Sequence, residues 1–245
     1  MKRPETADRR VAVFDLDGTL ADTSADLIAA ANATFAEAGR PGPLDPLADR
    51  ALAFAGGRAM LREGFVRLDG AAEPAQVDRL YPRLLALYGQ GLRVETELYQ
   101  GAEAALGSLG AAGWTLAVCT NKPHALAARL LEALGLGGRF AALLGADSLD
   151  VRKPDPRHLL ETVARAGGSA GRAVLVGDTT TDREAARGAG MPCVLVGFGP
   201  EGAAVARLEP EAVLEHYDAL PALLDRLLPP GGGGWSGRRE SNPRL

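Results

Sequence analysis

Asp15 and Asp17 stand two positions apart in the segment Asp15-Leu16-Asp17-Gly18-Thr19, directly after the apolar run Val11-Ala12-Val13-Phe14. A buried strand that ends in two acids carries unfavourable charge to the edge of a core, and a solvated turn would not require both. One such carboxylate can attack phosphorus and form an aspartyl-phosphate. The other can give a proton to a leaving alkoxide and then take one from the attacking water. Gly18 permits close backbone approach and a sharp exit from the strand. Asp-x-Asp alone is a weak signal, whereas the string VAVFDLDGTLADT is a specific one.

Three later segments offer complementary groups. Val118-Cys119-Thr120-Asn121-Lys122 puts a hydroxyl at a strand end, followed by backbone N–H groups that can hold phosphoryl oxygens. A threonine in that place serves equally as a helix cap. Arg152-Lys153-Pro154-Asp155-Pro156 sets a lysine beside rigid prolines, as a positioned charge for a carboxylate and a phosphoryl group; the plainer reading is solvated loop surface. Val176-Gly177-Asp178-Thr179-Thr180-Thr181-Asp182 brackets three hydroxyls with two carboxylates. Such a hard-oxygen environment suits Mg²⁺, which favours octahedral oxygen ligation. The other reading is a helix start with acids near its positive end.

The elements that must position these groups follow from periodicity. Residues 11–14 read as a buried strand, and Asp22-Thr23-Ser24 offers N-cap residues for a helix to about Ala38. Gly39 to Pro46 breaks the pattern. Residues 47–92 are helical in character, as the spacing of Leu80, Leu84, Leu85 and Tyr88 illustrates. Beyond Tyr99, strands are expected at 115–119, 140–144, 173–176 and 192–196. Helices are expected at 101–112, 124–134, 156–166 and 182–188. Alternating strands and helices predict an α/β fold with a doubly wound, Rossmann-like parallel sheet. The core would comprise residues 1–20 and 95–228, with a helical domain, 21–94, inserted early. The Gly- and Pro-rich stretch 229–245 reads as a disordered extension in which Trp235 could meet a partner. All four chemical segments fall at or just past C-terminal strand ends, where open parallel sheets bind ligands.

Composition excludes several classes. Hydrophobic residues make up 47% of the 245, enough for a packed core. A formal charge of −4 argues against nucleic acid and anionic membranes as partners. No apolar run approaches the ~20 residues of a membrane span, and no apolar stretch follows the charged first residues as a secretory signal would. A cytoplasmic protein is expected, with Cys119 and Cys193 as reduced, buried thiols.

The strings FDLDGT, TNK, KPDP and GDTTTD, in this order, resemble the haloacid dehalogenase-like hydrolase superfamily over about residues 10–228. The early insert resembles that superfamily's C1 helical cap, and DLDGTLADT with CTNKP and GDTTTD resembles its phosphoglycolate phosphatase branch. The resemblance implies a Mg²⁺-dependent phosphatase of small-molecule phosphate esters, monomeric or homodimeric. Asp15 would be the nucleophile. Asp17 would be the acid/base and would also lend its backbone carbonyl to the metal. Thr120 and Lys153 would bind the phosphoryl group, and Asn121 would be a further substrate-binding residue. Asp178 would ligate Mg²⁺ directly and Asp182 would support the metal site. Dehalogenases of the superfamily lack an acid at the position of Asp17, so its presence favours phosphate esters.

In the insert, Ala55-Gly56-Gly57-Arg58 is the candidate substrate loop. Arg58 could pair with a second anionic group, such as the carboxylate of 2-phosphoglycolate; otherwise it is a surface residue at a helix start. The loop departs from the Gly-Asn-Gly run of typical phosphoglycolate phosphatases. The stretch AGGRAMLREGF resembles a branch acting on N-acetylmuramic acid 6-phosphate. That sugar phosphate, or a phosphomutase reaction on the same fold, is the alternative to 2-phosphoglycolate. A non-enzymatic binding module is disfavoured because all four chemical segments are intact.

Overall fold

Strand β1 (Val11–Phe14) is buried on both faces, as an uninterrupted apolar run requires of a central strand. In the computed structural model, which describes residues 9–236, it pairs in parallel with β4 (Thr115–Cys119) on one side and β6 (Ala173–Gly177) on the other. Three further strands, β5 (Ala142–Leu144), β7 (Cys193–Val196) and β8 (Ala212–Leu214), complete a six-stranded parallel sheet in the order β5-β4-β1-β6-β7-β8. The chain winds outward from β1 through β4 and β5, then returns to the opposite side of β1 at β6. That reversal opens a crevice at the carboxyl ends of the central strands.

Side chains along each strand alternate between two apolar layers. Ala12, Phe14, Leu116, Val118, Val174 and Val176 face α5 (Ala102–Ala111), α6 (His124–Ala133) and α9 (Leu220–Leu227). Val11, Val13, Ala117, Cys119, Ala173 and Leu175 face α7 (Pro156–Arg165) and α8 (Thr180–Gly188). Both cysteines are free and buried.

Between β1 and α5 lies a separate helical layer of α1 (Ser24–Glu37), α2 (Arg50–Phe54), α3 (Gly57–Asp69) and α4 (Pro74–Gln90). It has its own apolar cluster, including Ile28, Phe35, Met60, Leu61, Leu84 and Tyr88. The chain enters and leaves this layer through a two-stranded antiparallel ribbon, β2 (Ala21–Asp22) with β3 (Glu97–Leu98). Asp26 staples the return. Its buried carboxylate accepts the N–H groups of Val94, Glu95 and Thr96 at 3.0–3.2 Å and the Thr96 hydroxyl at 2.7 Å.

Several local expectations are corrected. The strand expected at 140–144 begins only at Ala142, and the helix expected from Asp182 begins at Thr180, because Thr179 and Asp182 form a capping box. Thr23 occupies the cap position of α1 but makes no cap; its hydroxyl is diverted to Asp17 at 2.7 Å. Asp22 receives the Ser24 N–H instead, at 3.1 Å. Strand β8 and helix α9 were not expected. Residues 229–236 are mostly exposed, and Trp235 is the one that reaches the core. Trp235 packs on the first apolar layer and donates its N–H to the Gly171 carbonyl at 2.7 Å. The rest of the expected extension, 237–245, falls outside the described residues.

Candidate active site

The crevice gathers the four segments. Asp15 leaves the end of β1, Thr120 follows β4, Asp178 follows β6, and Lys153 reaches in from the loop before α7. Each ion is carried by a connection whose backbone is fixed by the sheet or by a capped helix. Asp155 caps α7 by accepting the Arg157 N–H, with Pro156 at the first helical position. The Lys153–Pro154 peptide is cis. Tyr217 holds the Asp15–Thr19 loop from the far end of the chain, donating its buried hydroxyl to the Thr19 carbonyl at 2.7 Å.

Asp15 is the most constrained carboxylate. Its Oδ1 accepts the Leu16 N–H at 2.7 Å and lies 3.1 Å from Lys153 Nζ. Its Oδ2 is left without a hydrogen bond among the described residues. Burial pushes its carboxyl up to about 6, against the pull of Lys153 and with the push of Asp182 and Asp17. Lys153 Nζ is also 2.6 Å from Asp182 Oδ1. Burial drags that ammonium down, and Asp15 and Asp182 more than reverse the effect, holding it above the ordinary lysine value.

Asp15, Asp178 and Asp182 present oxygens within 4.8 Å of one another. Three buried carboxylates thus share the single ammonium of Lys153, which leaves surplus negative charge in a site of low dielectric. Asp178 shows the consequence. Its Oδ1 accepts the Thr19 hydroxyl at 2.9 Å, but its buried Oδ2 has no hydrogen-bond partner among the described residues. Burial, then Asp182 and Asp15, push its carboxyl well above the ordinary carboxylate range. An orphaned buried oxygen beside surplus negative charge fits a small divalent cation with oxygen ligands. Asp182 is occupied otherwise. Its Oδ2 accepts the Thr179 hydroxyl at 2.7 Å and the N–H groups of Asp178 and Thr179, and its Oδ1 faces Lys153. It positions Lys153 and the start of α8, and it belongs to the same carboxylate cluster.

Asp17 turns away from this cluster. Its Oδ1 accepts from Thr23 and from Lys122 Nζ, each at 2.7 Å, and its Oδ2 lies 2.9 Å from the same ammonium. Thr120 is buried, and its Oγ1 accepts the Lys122 N–H at 3.2 Å. Asn121 donates to the Lys153 carbonyl at 2.9 Å, so it ties the Thr120 and Lys153 loops together. Arg58, at the start of α3, lines the pocket, but its guanidinium is paired with Asp78 at 3.0 Å and lies 3.7 Å over the Tyr81 ring.

Sequence reasoning missed Lys122, Thr19, Thr23 and Tyr88. Lys122 was within reach, since it sits two positions after Thr120 in the same segment. Thr19 and Thr23 looked like turn and cap residues, and Tyr88 like part of an apolar stripe.

The pocket, about 250 Å³, lies between the helical layer and the sheet edge, with Asp15, Asp17 and Lys153 on its floor and Gly57, Tyr81 and Tyr88 on its roof. This arrangement belongs to a known class: the chain is a member of the haloacid dehalogenase-like hydrolase family, which it matches over residues 12–196. It is 42% identical to the phosphoglycolate phosphatase of Agrobacterium fabrum over 223 residues, 90% of this chain and 95% of the relative. It is 38% identical to that of Caulobacter vibrioides over 216 residues, 88% of this chain and 90% of the relative. Among solved structures it resembles a predicted phosphoglycolate phosphatase from Haemophilus somnus, with a TM-score of 0.77, 22% identity and coverage of 89% and 98% of the two chains. A haloacid dehalogenase-like family hydrolase from Streptococcus pneumoniae superposes with a TM-score of 0.71 at 21% identity, covering 88% and 98%. The protein is a phosphatase of the phosphoglycolate phosphatase-like kind. No helix among the described residues is long and apolar enough to cross a membrane.

Proposed function

We propose that the enzyme hydrolyses 2-phosphoglycolate to glycolate and phosphate, through a phosphoryl group held transiently on Asp15. The observation that carries this reading is the state of the Asp15 carboxylate. One oxygen is clamped by Leu16 and Lys153, and the other is free beside the pocket. That is how a nucleophile is oriented without being neutralised.

In the first step Asp15 Oδ2 forms a bond to phosphorus while the ester oxygen departs and takes a proton from the Asp17 carboxyl. In the second, Asp17, now a carboxylate, takes a proton from water. The resulting oxygen nucleophile attacks phosphorus, releasing phosphate and restoring Asp15. Lys153, the Thr120 hydroxyl and the Asn121 N–H would face the phosphoryl oxygens. Asp15 and Asp178, with the Asp17 backbone carbonyl, would hold Mg²⁺. The ion would supply positive charge to the phosphoryl oxygens during transfer.

Pocket size supports a small substrate. A cavity of about 250 Å³ suits a two-carbon phosphate better than an N-acetylated sugar acid phosphate. The test is phosphate release by the purified enzyme from 2-phosphoglycolate, ethyl phosphate and N-acetylmuramic acid 6-phosphate, with and without Mg²⁺. Highest kcat/KM on 2-phosphoglycolate, with no acceptor present and none after chelation, is expected. Preference for the amino-sugar phosphate would overturn the substrate reading. Phosphate release only on adding a second hydroxyl compound would make the enzyme a mutase.

A further inference from the structure

Among the described residues four cations line the pocket, Lys153, Arg58, Arg152 and Lys122, and Arg152 is exposed to solvent. Lys153 is shared between Asp15 and Asp182. Arg58, 43% exposed at its side chain, is already answered by Asp78 and stacked on Tyr81. Lys122 is paired as well, with Asp17, but differs from Arg58 and Arg152 in its burial. Its side chain is only 3% exposed, yet it lines the pocket, and its Nζ lies 4.3 Å from the centroid of the Tyr88 ring on α4. It is held against Asp17 by two contacts to a single carboxylate, and an ammonium has three donors. Above it the Tyr88 hydroxyl is buried, has no partner at hydrogen-bond geometry among the described residues, and faces the Lys122 ammonium. A buried cation and a buried hydroxyl meet at one place, between sheet edge and helical layer.

We propose that Lys122, with the Tyr88 hydroxyl as second donor, is the receptor for the substrate's carboxylate and so the residue that sets specificity for carboxylated phosphates. The inference rests on the reading of Asp17 as the group facing the ester oxygen. If Asp17 meets that oxygen at hydrogen-bond length, Lys122 Nζ stands two such lengths away, roughly 5.5 Å at most. In 2-phosphoglycolate one methylene separates the ester oxygen from the carboxylate, and that distance bridges the gap. A longer sugar phosphate would carry its own carboxylate past Lys122. An ammonium in a water-poor pocket also holds a carboxylate far more strongly than the exposed Arg58 could.

The experiment compares 2-phosphoglycolate with ethyl phosphate, which has the same length and no carboxylate. The wild-type enzyme is measured first. Equal kcat/KM on the two substrates would remove the proposed function itself, before any variant is read. Given a preference, Lys122→Met should lower kcat/KM on 2-phosphoglycolate about ten- to a hundredfold more than on ethyl phosphate, mostly through KM. Tyr88→Phe, which deletes one oxygen and keeps the ring in the core, should shift the same ratio about three- to tenfold. Arg58→Ala should leave the ratio within about twofold. Equal losses on both substrates would show that Lys122 serves Asp17 alone and would overturn the proposal. So would an unchanged ratio, or a collapse of the preference in Arg58→Ala instead. If Lys122→Met does not fold, the Tyr88→Phe ratio decides the matter.

Discussion

A Cβ atom placed on Gly18 would stand 2.2 Å from Oδ2 of Asp178, the buried oxygen that has no hydrogen-bond partner among the described residues. The glycine, at φ +78°, is therefore required twice over, for its left-handed backbone and for the space it leaves. Gly18→Ala should push Asp178 aside, lower Mg²⁺ affinity at least tenfold by calorimetry, and reduce turnover at least a hundredfold. Unchanged metal affinity in a folded Gly18→Ala protein would show that Asp178 Oδ2 does not face the ion.

Asp15 links catalysis to stability. Its carboxyl is raised from 3.8 to about 6 in the folded chain. The unfolded chain therefore loses this proton first as pH rises. Stability falls through the window from about 4 to about 6 and stays lower above it. Asp15→Asn removes that loss. Metal-free Asp15→Asn should melt above the metal-free wild type at pH 8, by an increment on the order of 1–3 kcal/mol, and the advantage should vanish near pH 4. Its turnover should fall by several orders of magnitude. A variant less stable than wild type at pH 8 would contradict the surplus charge inferred for this cluster.

Asp17→Asn should separate substrates by leaving group. Alkyl phosphates need a proton on the departing oxygen, whereas an aryl phosphate releases a phenolate that needs none. The loss in kcat should be at least about a hundredfold larger on ethyl phosphate than on 4-nitrophenyl phosphate, near the value of a well-placed general acid. Equal losses would make Asp17 a purely structural partner of Lys122 and Thr23.

Chelation should abolish turnover and Mg²⁺ should restore it, whereas Ca²⁺ should inhibit. Its larger, looser coordination would place Asp15 and Asp178 at the wrong separation. Full activity after exhaustive chelation would rule out the metal site.

The Asp26 staple predicts a change in stability rather than in chemistry. Asp26→Ala leaves the Thr96 N–H and hydroxyl without their acceptor at the root of the helical layer. Unsatisfied buried donors cost about 1–3 kcal/mol each. Urea unfolding should therefore show a loss of roughly 3 kcal/mol or more. A loss under about 1 kcal/mol would mean that water replaces the carboxylate at no cost.

Much of this molecule was legible in the linear order of residues. Buried strands announce themselves through uninterrupted apolar runs, as at Val11–Phe14, and the four polar segments that follow strands are confined to one sheet edge by parallel topology. Asp15, Thr120 and Asp178 directly follow β1, β4 and β6, and such strand ends are a local property, whereas Lys153 lies in the loop between β5 and α7. What each group touches is not local. Lys122 meets Asp17 across 105 positions, Thr19 meets Asp178 across 159, and Tyr217 meets Thr19 across 198. Thr23 has the composition of a helix cap and is drawn instead to Asp17, because a hydrogen bond to a carboxylate outweighs one to an amide. Trp235 sits in a stretch whose composition signals disorder, yet its indole packs on the core. Asp182 reads in sequence as support for a metal site, and the contacts of its oxygens to Lys153, to Thr179 and to the start of α8 are visible only in three dimensions. Local order thus foretells the strand ends and the polar segments that follow them. Which groups pair, Lys122 with Asp17 or Thr19 with Asp178, depends on distances between segments far apart in the chain, and those exist only once it has folded.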